Sequence, residues 1–430
     1  MRRIVGSCIT LVALAAIALA TLRNGDPATL EPHGPFCLVC GNQGSVDVIQ
    51  NLLLFAPLGA GLALLGLRLP VAVAVAAAVS LSVESVQATL LIGRAATLSD
   101  LLTNTTGATL AYVVVRDYAR WLLPTSAASP WLASAWLATW AAVCLIGAWG
   151  LLPMELPSSG GPWRVMEIPP GSGHLREFEG TVLHARIGNV EVSRGPAPAD
   201  GALGTALESP AISASATVIP MEYAPGKLRP IVSVHDSSWT GVLLLGQRYR
   251  DLSYSTLLNA RKLRLRNPSV RLQNVFPGTT ERGERRRAEI SLLAERTPSE
   301  LLLQSSSAVE SRQLRVAVTP LLGWTMLAPF DLKDSPRTEW MTLIWLAVFL
   351  VPAGYWAAGA MLAGRLSGSL AASIVAGALA VPWVAAVASG LSLPGLVWLP
   401  LAAGCVAAGA VTATFVVRFL SPPSLSGPRG

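Results

Sequence analysis

Residues 47–67, DVIQNLLLFAPLGAGLALLGL, decide the fold of this chain. From Val48 to Leu67 the segment has no charged residue, and only Gln50 and Asn51 carry polar side chains. About 20 mostly apolar residues are what a helix needs to cross the hydrocarbon core of a bilayer. The segment therefore predicts a transmembrane helix with Asp47 and Asn51 in its first turns.

Similar apolar segments lie on both sides of this one, and together they predict about eight spans. The predicted spans are Ile4–Leu22, Val48–Leu67, Pro70–Ile92, Asp100–Val115, Trp131–Leu152, Trp340–Ala363, Leu366–Ser389 and Leu393–Val417. The composition agrees, because 52% of the residues are hydrophobic and only 13% are charged, against about 25% charged in a typical soluble domain. No dense Lys/Arg stripe with interleaved aromatic residues is present, which argues against a nucleic-acid partner.

The charges concentrate in the middle of the chain. Residues 153–338 hold 22 of the 32 Lys and Arg residues and 18 of the 25 Asp and Glu residues. Short alternating runs separated by turn residues predict an antiparallel β-sandwich there. The predicted strands are Gly180–Val192, Ile212–Ile219, Pro230–Val234, Gly241–Leu245, Lys262–Leu265, Ala288–Leu293, Glu300–Leu303 and Gln313–Val318.

The predicted organisation is an α-helical transmembrane bundle with an inserted all-β sandwich. It divides the chain into a helical bundle of four spans at 1–120, a fifth span at 121–152, the sandwich at 153–338, and three helices with a short tail at 339–430.

The arginines of the short loops predict the orientation of the spans. With the N-terminus inside, Arg23 and Arg94 face outward, which satisfies the positive-inside rule. The cytoplasmic side then receives Arg2, Arg3, Arg68, Arg116, Arg120, Arg365, Arg418 and Arg429. Both termini are expected in the cytoplasm and residues 153–338 outside. The first span is typical of an uncleaved anchor, although Ala18-Leu19-Ala20 also resembles a signal-peptide cleavage site.

Polar residues inside the first spans carry the functional signal. Ionisable side chains within a membrane span are costly and mark functional sites. Asp47 and Asn51 share one face of span two, Glu84 and Gln87 one face of span three, and Asp100 and Asn104 one face of span four. All six lie in the outer half of the predicted membrane, and Arg94 lies in the loop between spans three and four. The spacing predicts one outward-facing polar pocket, although a purely structural hydrogen-bond network is the alternative.

Four sequence blocks resemble the VanZ-like family. They are DVIQNLLLFAPLG at 47–59, SVESVQ at 82–87, Gly93-Arg94, and SDLLTNTTGA at 99–108. The resemblance covers about residues 1–120. It implies a bacterial envelope protein with a small helical bundle, in a family named for a membrane protein linked to teicoplanin resistance. The sandwich is similar in outline to concanavalin-like (laminin G-like) domains at Phe178–Val182 and Gly323-Trp324.

Two cysteines in the first outer loop form the motif Cys37-Leu-Val-Cys40. An oxidising outer compartment favours a local disulfide, with a redox centre as the sharper alternative. A zinc site would need more ligands than His33 and these cysteines supply, and no phosphate-cradling loop occurs. We therefore expect no metal and no cofactor.

These features favour a non-enzymatic envelope protein of the bacterial cytoplasmic (inner) membrane. Its pocket is expected to bind an amphiphilic or cell-wall-related ligand, such as a lipid-linked wall precursor or a glycopeptide, and to contribute to glycopeptide resistance. One alternative is an intramembrane lipid or polyprenyl-phosphate hydrolase or transferase, with Glu84 as general base and Arg94 as phosphate clamp. Another is a scaffold that displays a glycan- or protein-binding sandwich.

Overall fold

The computed structural model describes residues 1–24, 36–93, 97–156, 161–199, 201–220, 226–277, 288–333 and 335–420. Eight long helices correspond to the eight predicted spans. They are α1 (Arg2–Thr21), α2 (Gly44–Leu65), α3 (Leu69–Leu90), α4 (Leu98–Arg116), α5 (Ser129–Gly150), α6 (Pro336–Leu362), α7 (Gly368–Ser389) and α8 (Trp398–Leu420).

Seven of these helices are long and apolar enough to cross a membrane, and α4 is the exception among the described residues. The reason lies in its composition, because α4 carries Asp100, Asn104 and several threonines within 19 residues. Asn104 is buried in the protein, so lipid does not solvate its amide. The chain is a multi-pass membrane protein, and its predicted fold class is confirmed.

The helices alternate in direction about a β-sandwich. The sandwich lies at one end of the helices, where backbone hydrogen bonds join it to Ser45 of α2, Leu152 after α5 and Ser392 after α7, and where α6 begins. We call this end of the helices the sandwich end. The first four helices bury a small core of their own around Phe55 and Leu58. The last four share a continuous apolar core with the sandwich, which includes Trp140 of α5 and Leu350 of α6.

The sandwich consists of two mostly antiparallel sheets. Its strands are β1 (Trp163–Val165), β2 (Thr181–Ile187), β3 (Val190–Glu191), β4 (Gly195–Ala197), β5 (Ile212–Ile219), β6 (Arg229–His235), β7 (Gly241–Arg248), β8 (Asp251–Thr256), β9 (Val270–Leu272), β10 (Ile290–Arg296), β11 (Glu300–Ser307), β12 (Ser311–Ala317) and β13 (Leu332–Lys333). One sheet has the order β13-β9-β8-β7-β6-β1-β4 and the other β12-β11-β10-β5-β2-β3. Alternate residues of β5 are buried, as a strand with one face on the core requires.

One predicted strand is wrong. Residues 262–265 do not pair in a sheet, because Asn259–Leu263 forms a 3-10 helix that ends at Arg264 in the left-handed conformation. The apolar-polar alternation of Lys262–Leu265 is too short to separate a strand from a helical turn. Gly323 and Trp324, quoted for the concanavalin-like resemblance, lie in a second 3-10 helix, Pro320–Met326. The Trp324 Nε1 donates to the Thr342 hydroxyl of α6 at 3.1 Å.

A buried carboxylate organises the rim of the seven-stranded sheet. Asp331 contacts the guanidinium groups of Arg266, at 3.1 Å, and Arg271, and it accepts from the Ser269 hydroxyl at 2.5 Å. Arg248 lies 3.7 Å from the same carboxylate. Burial lowers the pKa of Arg266 and of Arg271, and the charge of Asp331 opposes that effect. The carboxylate therefore stabilises a cluster of arginines that the fold has partly removed from water.

Hydrogen bonds tie the sandwich to both groups of helices. The buried Arg296 of β10 donates to the Leu151 carbonyl, which follows the last residue of α5. Gln50 of α2 donates to the Leu327 carbonyl at 3.0 Å. The Arg264 side chain donates to the Val39 carbonyl in the segment before α2. The sandwich therefore contacts the first helical group beside α2, where the predicted site residues begin.

Candidate functional site

Six of the seven predicted site residues line one pocket of about 860 Å³ at the sandwich end of α1–α4. The pocket receives Asp47 and Asn51 from α2, Glu84 and Gln87 from α3, and Asp100 and Asn104 from α4. Arg94, the seventh, lies outside the described residues. The three polar helix faces thus meet, as their spacing predicts, while the role of these residues in binding stays a prediction.

Thr97, the N-cap of α4, joins two carboxylates of the pocket. Its backbone N–H donates to Glu84 Oε2 at 3.1 Å, and its hydroxyl donates to Asp100 Oδ2 at 2.7 Å. The other Asp100 oxygen accepts from Asn51 Nδ2 at 2.5 Å. Two nearby carboxylates repel each other in a medium of low dielectric constant, and these donors offset the repulsion. One capping residue therefore connects α2, α3 and α4 at the pocket.

The deeper wall of the pocket is made by Asn104 and Gln87. Asn104 Nδ2 donates to the buried Ser80 hydroxyl at 3.0 Å, while Asn104 Oδ1 is buried and accepts no hydrogen bond from the residues that the structure describes. Gln87 Nε2 donates to the Thr21 carbonyl at the end of α1, 3.2 Å away. A buried acceptor without a donor costs roughly 1–3 kcal/mol. Asn104 Oδ1 lies inside the protein behind the pocket surface.

The rim of the pocket is formed by the segment that precedes α2. Ser99 donates to the Leu38 carbonyl at 2.6 Å, which fixes this segment against the start of α4. Cys40 lines the pocket, and the sulfurs of Cys37 and Cys40 lie together with Cα atoms 5.6 Å apart. That separation fits a disulfide. Asp47 also lines the rim.

Two glycines allow α2 and α4 to approach closely enough for this network. A Cβ atom at Gly107 would lie 2.7 Å from Leu52 Cα, and one at Gly59 would lie 2.8 Å from Ala108 Cα. Both distances are shorter than the 3.0 Å that real Cβ atoms keep from other atoms. Small residues at a helix crossing permit such contact in membranes. The crossing brings Asn51 within hydrogen-bond distance of Asp100.

Two site residues were missed by the sequence reasoning: Thr97 and Ser99. A detectable signal exists for Thr97, because Thr97-Leu-Ser-Asp100 before an apolar run is a capping-box pattern. Such a pattern indicates the helix start but not the contact with Glu84, which comes from another helix. Serine is too common in membrane helices for Ser99 to stand out, whereas Ser80 shares the polar face of Glu84 and Gln87 at helical spacing.

The pocket offers mainly hydrogen-bond acceptors to a ligand. The carboxylates of Glu84 and Asp100 are acceptors, and one N–H of each of the Asn51 and Gln87 amides already donates to the protein. Among the residues that the structure describes, no three His, Cys, Asp or Glu side chains are placed to hold a metal ion. The arrangement suits groups that donate hydrogen bonds, such as amines and hydroxyls.

The His235-Asp236 pair of the sandwich has a different local role. Asp236 Oδ1 accepts from the Ser238 N–H, the Ser238 hydroxyl and the Thr240 N–H, between 2.7 and 2.9 Å, so it closes the turn after β6. Burial lowers the pKa of His235. The Ser238 hydroxyl donates to the aspartate, so this loop is held together by its own polar groups.

Comparison with known proteins agrees with the geometry of the first helices. The fold defines a multi-pass membrane protein with a β-sandwich inserted between two helical groups. Residues 9–122 match the model of the VanZ/LLP1 family, so this helical module is VanZ-like. The matched range contains all six described site residues. No curated protein and no solved structure matches the chain, and the concanavalin-like resemblance of the sandwich stays a prediction.

Proposed function

We propose that this protein is a non-enzymatic envelope protein whose pocket binds the polar head of an amphiphile. The observation that carries the proposal is the pocket at the sandwich end, where polar faces of three helices surround about 860 Å³. Polar groups inside a membrane-spanning helical bundle cost free energy, so they occur mainly where they serve binding or helix packing. The carboxylates of Glu84 and Asp100, which line the pocket, support binding, because ionisable side chains inside a membrane bundle mark functional sites.

The distribution of arginines supports a location in the bacterial cytoplasmic membrane with the sandwich outside. Arg2, Arg68, Arg116, Arg365 and Arg418 lie at the ends of helices away from the sandwich. Cytoplasmic loops carry an excess of Lys and Arg. In this orientation the pocket opens toward the outer leaflet, where lipid-linked wall precursors and lipophilic glycopeptides meet the membrane. Both contain the amino and hydroxyl groups that the acceptors of Glu84 and Asp100 would bind.

Binding of an amine-bearing lipid to the purified full chain tests the proposal. Phosphatidylethanolamine is the probe, titrated in one detergent, with phosphatidylglycerol as the comparison head group. Asp100→Asn removes the charge that Thr97 and Asn51 hold, and we expect phosphatidylethanolamine affinity to fall about tenfold, or 1.4 kcal/mol. Ser85→Ala is the matched control, because Ser85 is exposed on α3 and donates only to the Leu81 carbonyl. Equal affinities for Asp100→Asn and Ser85→Ala would contradict the proposal.

Resistance provides the cellular test. Single replacements Glu84→Gln and Asp100→Asn should lower the teicoplanin tolerance of cells that express the protein, while Ser85→Ala should not. Protein levels in the membrane fraction control for accumulation. Unchanged tolerance with all three variants would show that the protein has no role in teicoplanin resistance. Binding in the pocket would then be decided by the lipid titration alone.

A second function is favoured by the pair of carboxylates that Thr97 joins. Glu84 and Asp100 on neighbouring helices are the kind of pair that general acid–base chemistry uses, so hydrolysis or transfer on a lipid phosphate is the competing proposal. Incubation of the purified chain with radiolabelled polyprenyl phosphate tests it. If the wild type forms product and Glu84→Gln does not, the protein is an enzyme for this substrate. If neither the wild type nor Glu84→Gln forms product, this reaction is excluded.

A further inference from the structure

Two apolar grooves flank α1 beside the pocket. The first lies between α1 and α3, has about 410 Å³, and is lined by residues such as Ile17, Ala18 and Val79. The second lies between α1 and α2, has about 370 Å³, and is lined by residues such as Val12, Ala16 and Leu53. Each groove is almost entirely aliphatic along its length. The two grooves therefore offer separate apolar paths on opposite sides of the same helix.

Both grooves adjoin the polar pocket and share lining residues with it. Val83 lines the pocket and the groove between α1 and α3. Leu53 and Leu54 line the pocket and the groove between α1 and α2. The last turn of α1 contributes Ala20 and Thr21 to the pocket wall itself. A molecule whose head occupies the pocket thus has one apolar path on each side of α1.

The dimensions fit hydrocarbon chains. Along α1 the first groove runs from Leu14 to Leu22 and the second from Cys8 to Ala16, each eight residues apart. At about 1.5 Å per residue, each groove covers roughly 12 Å of the helix. An acyl chain in a membrane already lies in hydrocarbon, so a chain that enters a groove stabilises the complex through van der Waals packing against the helices.

We propose that the ligand is a two-chain amphiphile that straddles α1, with its head in the polar pocket and one acyl chain in each groove. The inference rests on the proposed head-group binding and adds the number of chains. It distinguishes a diacyl lipid from an amphiphile with a single polyprenyl or acyl chain, which would occupy one groove and leave the other to annular lipid. The diacyl lipid is favoured because each of the two grooves adjoins the pocket through its own shared lining residues.

The test compares phosphatidylethanolamine with its single-chain lyso form on the purified full chain. We expect the two-chain lipid to bind at least about tenfold more tightly. Ala78→Trp fills the groove between α1 and α3, and Ala16→Trp fills the groove between α1 and α2. We call the ratio of the affinities for the two-chain lipid and the lyso form the two-chain advantage. Either variant should reduce this ratio to less than about threefold, with little change in binding of the lyso form.

Matched controls lie on the same helices. Ala15 and Ala74 are exposed like Ala16 and Ala78 but line neither groove, so Ala15→Trp and Ala74→Trp should keep the two-chain advantage. Size-exclusion profiles and helix content verify that each variant folds.

The outcomes separate the two proposals. Equal affinity of the wild type for both lipids, with both sensitive to Asp100→Asn, overturns the two-chain inference and leaves head-group binding intact. An advantage lost equally in Ala15→Trp and Ala16→Trp also overturns the inference, because the groove is then not what matters. Insensitivity of both lipids to Asp100→Asn overturns head-group binding itself.

Discussion

Replacement of Gly107 by alanine should separate α2 from α4 and break the contact on which the pocket depends. The added methyl group would lie 2.7 Å from Leu52 Cα, whereas carbon atoms pack best at about 3.5–4.0 Å. The helices must therefore move apart by about 1 Å. The Asn51–Asp100 hydrogen bond, 2.5 Å long, would lengthen to about 3.5 Å and be lost.

The expected loss of stability has two parts. Overpacking a tight contact costs about 1–3 kcal/mol, and a hydrogen bond to a charged group contributes about 1.5–3 kcal/mol. Alanine recovers about 0.5–1 kcal/mol through its higher helix propensity. We expect a net destabilisation of about 2–4 kcal/mol, seen as a fall of several degrees in the first thermal unfolding transition of the purified chain in detergent.

Gly404→Ala is the matched control for this experiment. Gly404 lies within a helix, and a Cβ atom there would meet no atom within 4 Å. Its replacement should leave the transition unchanged or raise it slightly. If Gly107→Ala unfolds at the same temperature as Gly404→Ala, the close approach of α2 and α4 does not stabilise the module, and the reasoning is refuted.

Three further predictions concern the remainder of the chain. Asp331→Asn leaves buried arginines without their carboxylate and should destabilise the protein by about 3–5 kcal/mol in thermal unfolding. The control Glu177→Gln breaks an exposed ion pair and should change stability by at most about 1 kcal/mol. Mass spectrometry after thiol alkylation of membranes should find Cys37 and Cys40 blocked until reduction; alkylation of both without reductant would contradict a disulfide. Burial lowers the pKa of His235 below the ordinary histidine value of about 6.5, so as the pH falls the unfolded chain binds this proton first. Stability should therefore fall as the pH drops from about 6.5 toward the folded pKa; an equal fall in His235→Leu would show that another group is responsible.

The convergence of the site residues could be predicted because it follows from helix periodicity and alternating spans. Asp47 and Asn51, or Asp100 and Asn104, stand four residues apart, so their side chains share a helix face, one turn apart along the axis. Which atoms meet could not be predicted. The contact of Thr97 with Glu84 depends on the loop between two helices, and sequence spacing does not encode its path.

Contacts between the two parts of the chain were also beyond the sequence. Gln50 and Leu327, which share a hydrogen bond, are 277 residues apart, and no local pattern links them. The arginine cluster around Asp331 draws on residues of separate strands and loops, each of which looks like an ordinary surface charge. The strand predicted at Lys262–Leu265 was wrong because the local pattern is ambiguous: a four-residue alternation fits a strand and a 3-10 turn equally well.

The most direct test of the central claim is an experimental structure of the full chain in nanodiscs that contain phosphatidylethanolamine. The account predicts density for a head group within hydrogen-bond distance of Glu84 and Asp100, with one chain on each side of α1. Density for ordered lipid only around the outside of the helices, with the pocket of Glu84, Asp100 and Asn104 filled by water alone, would contradict it.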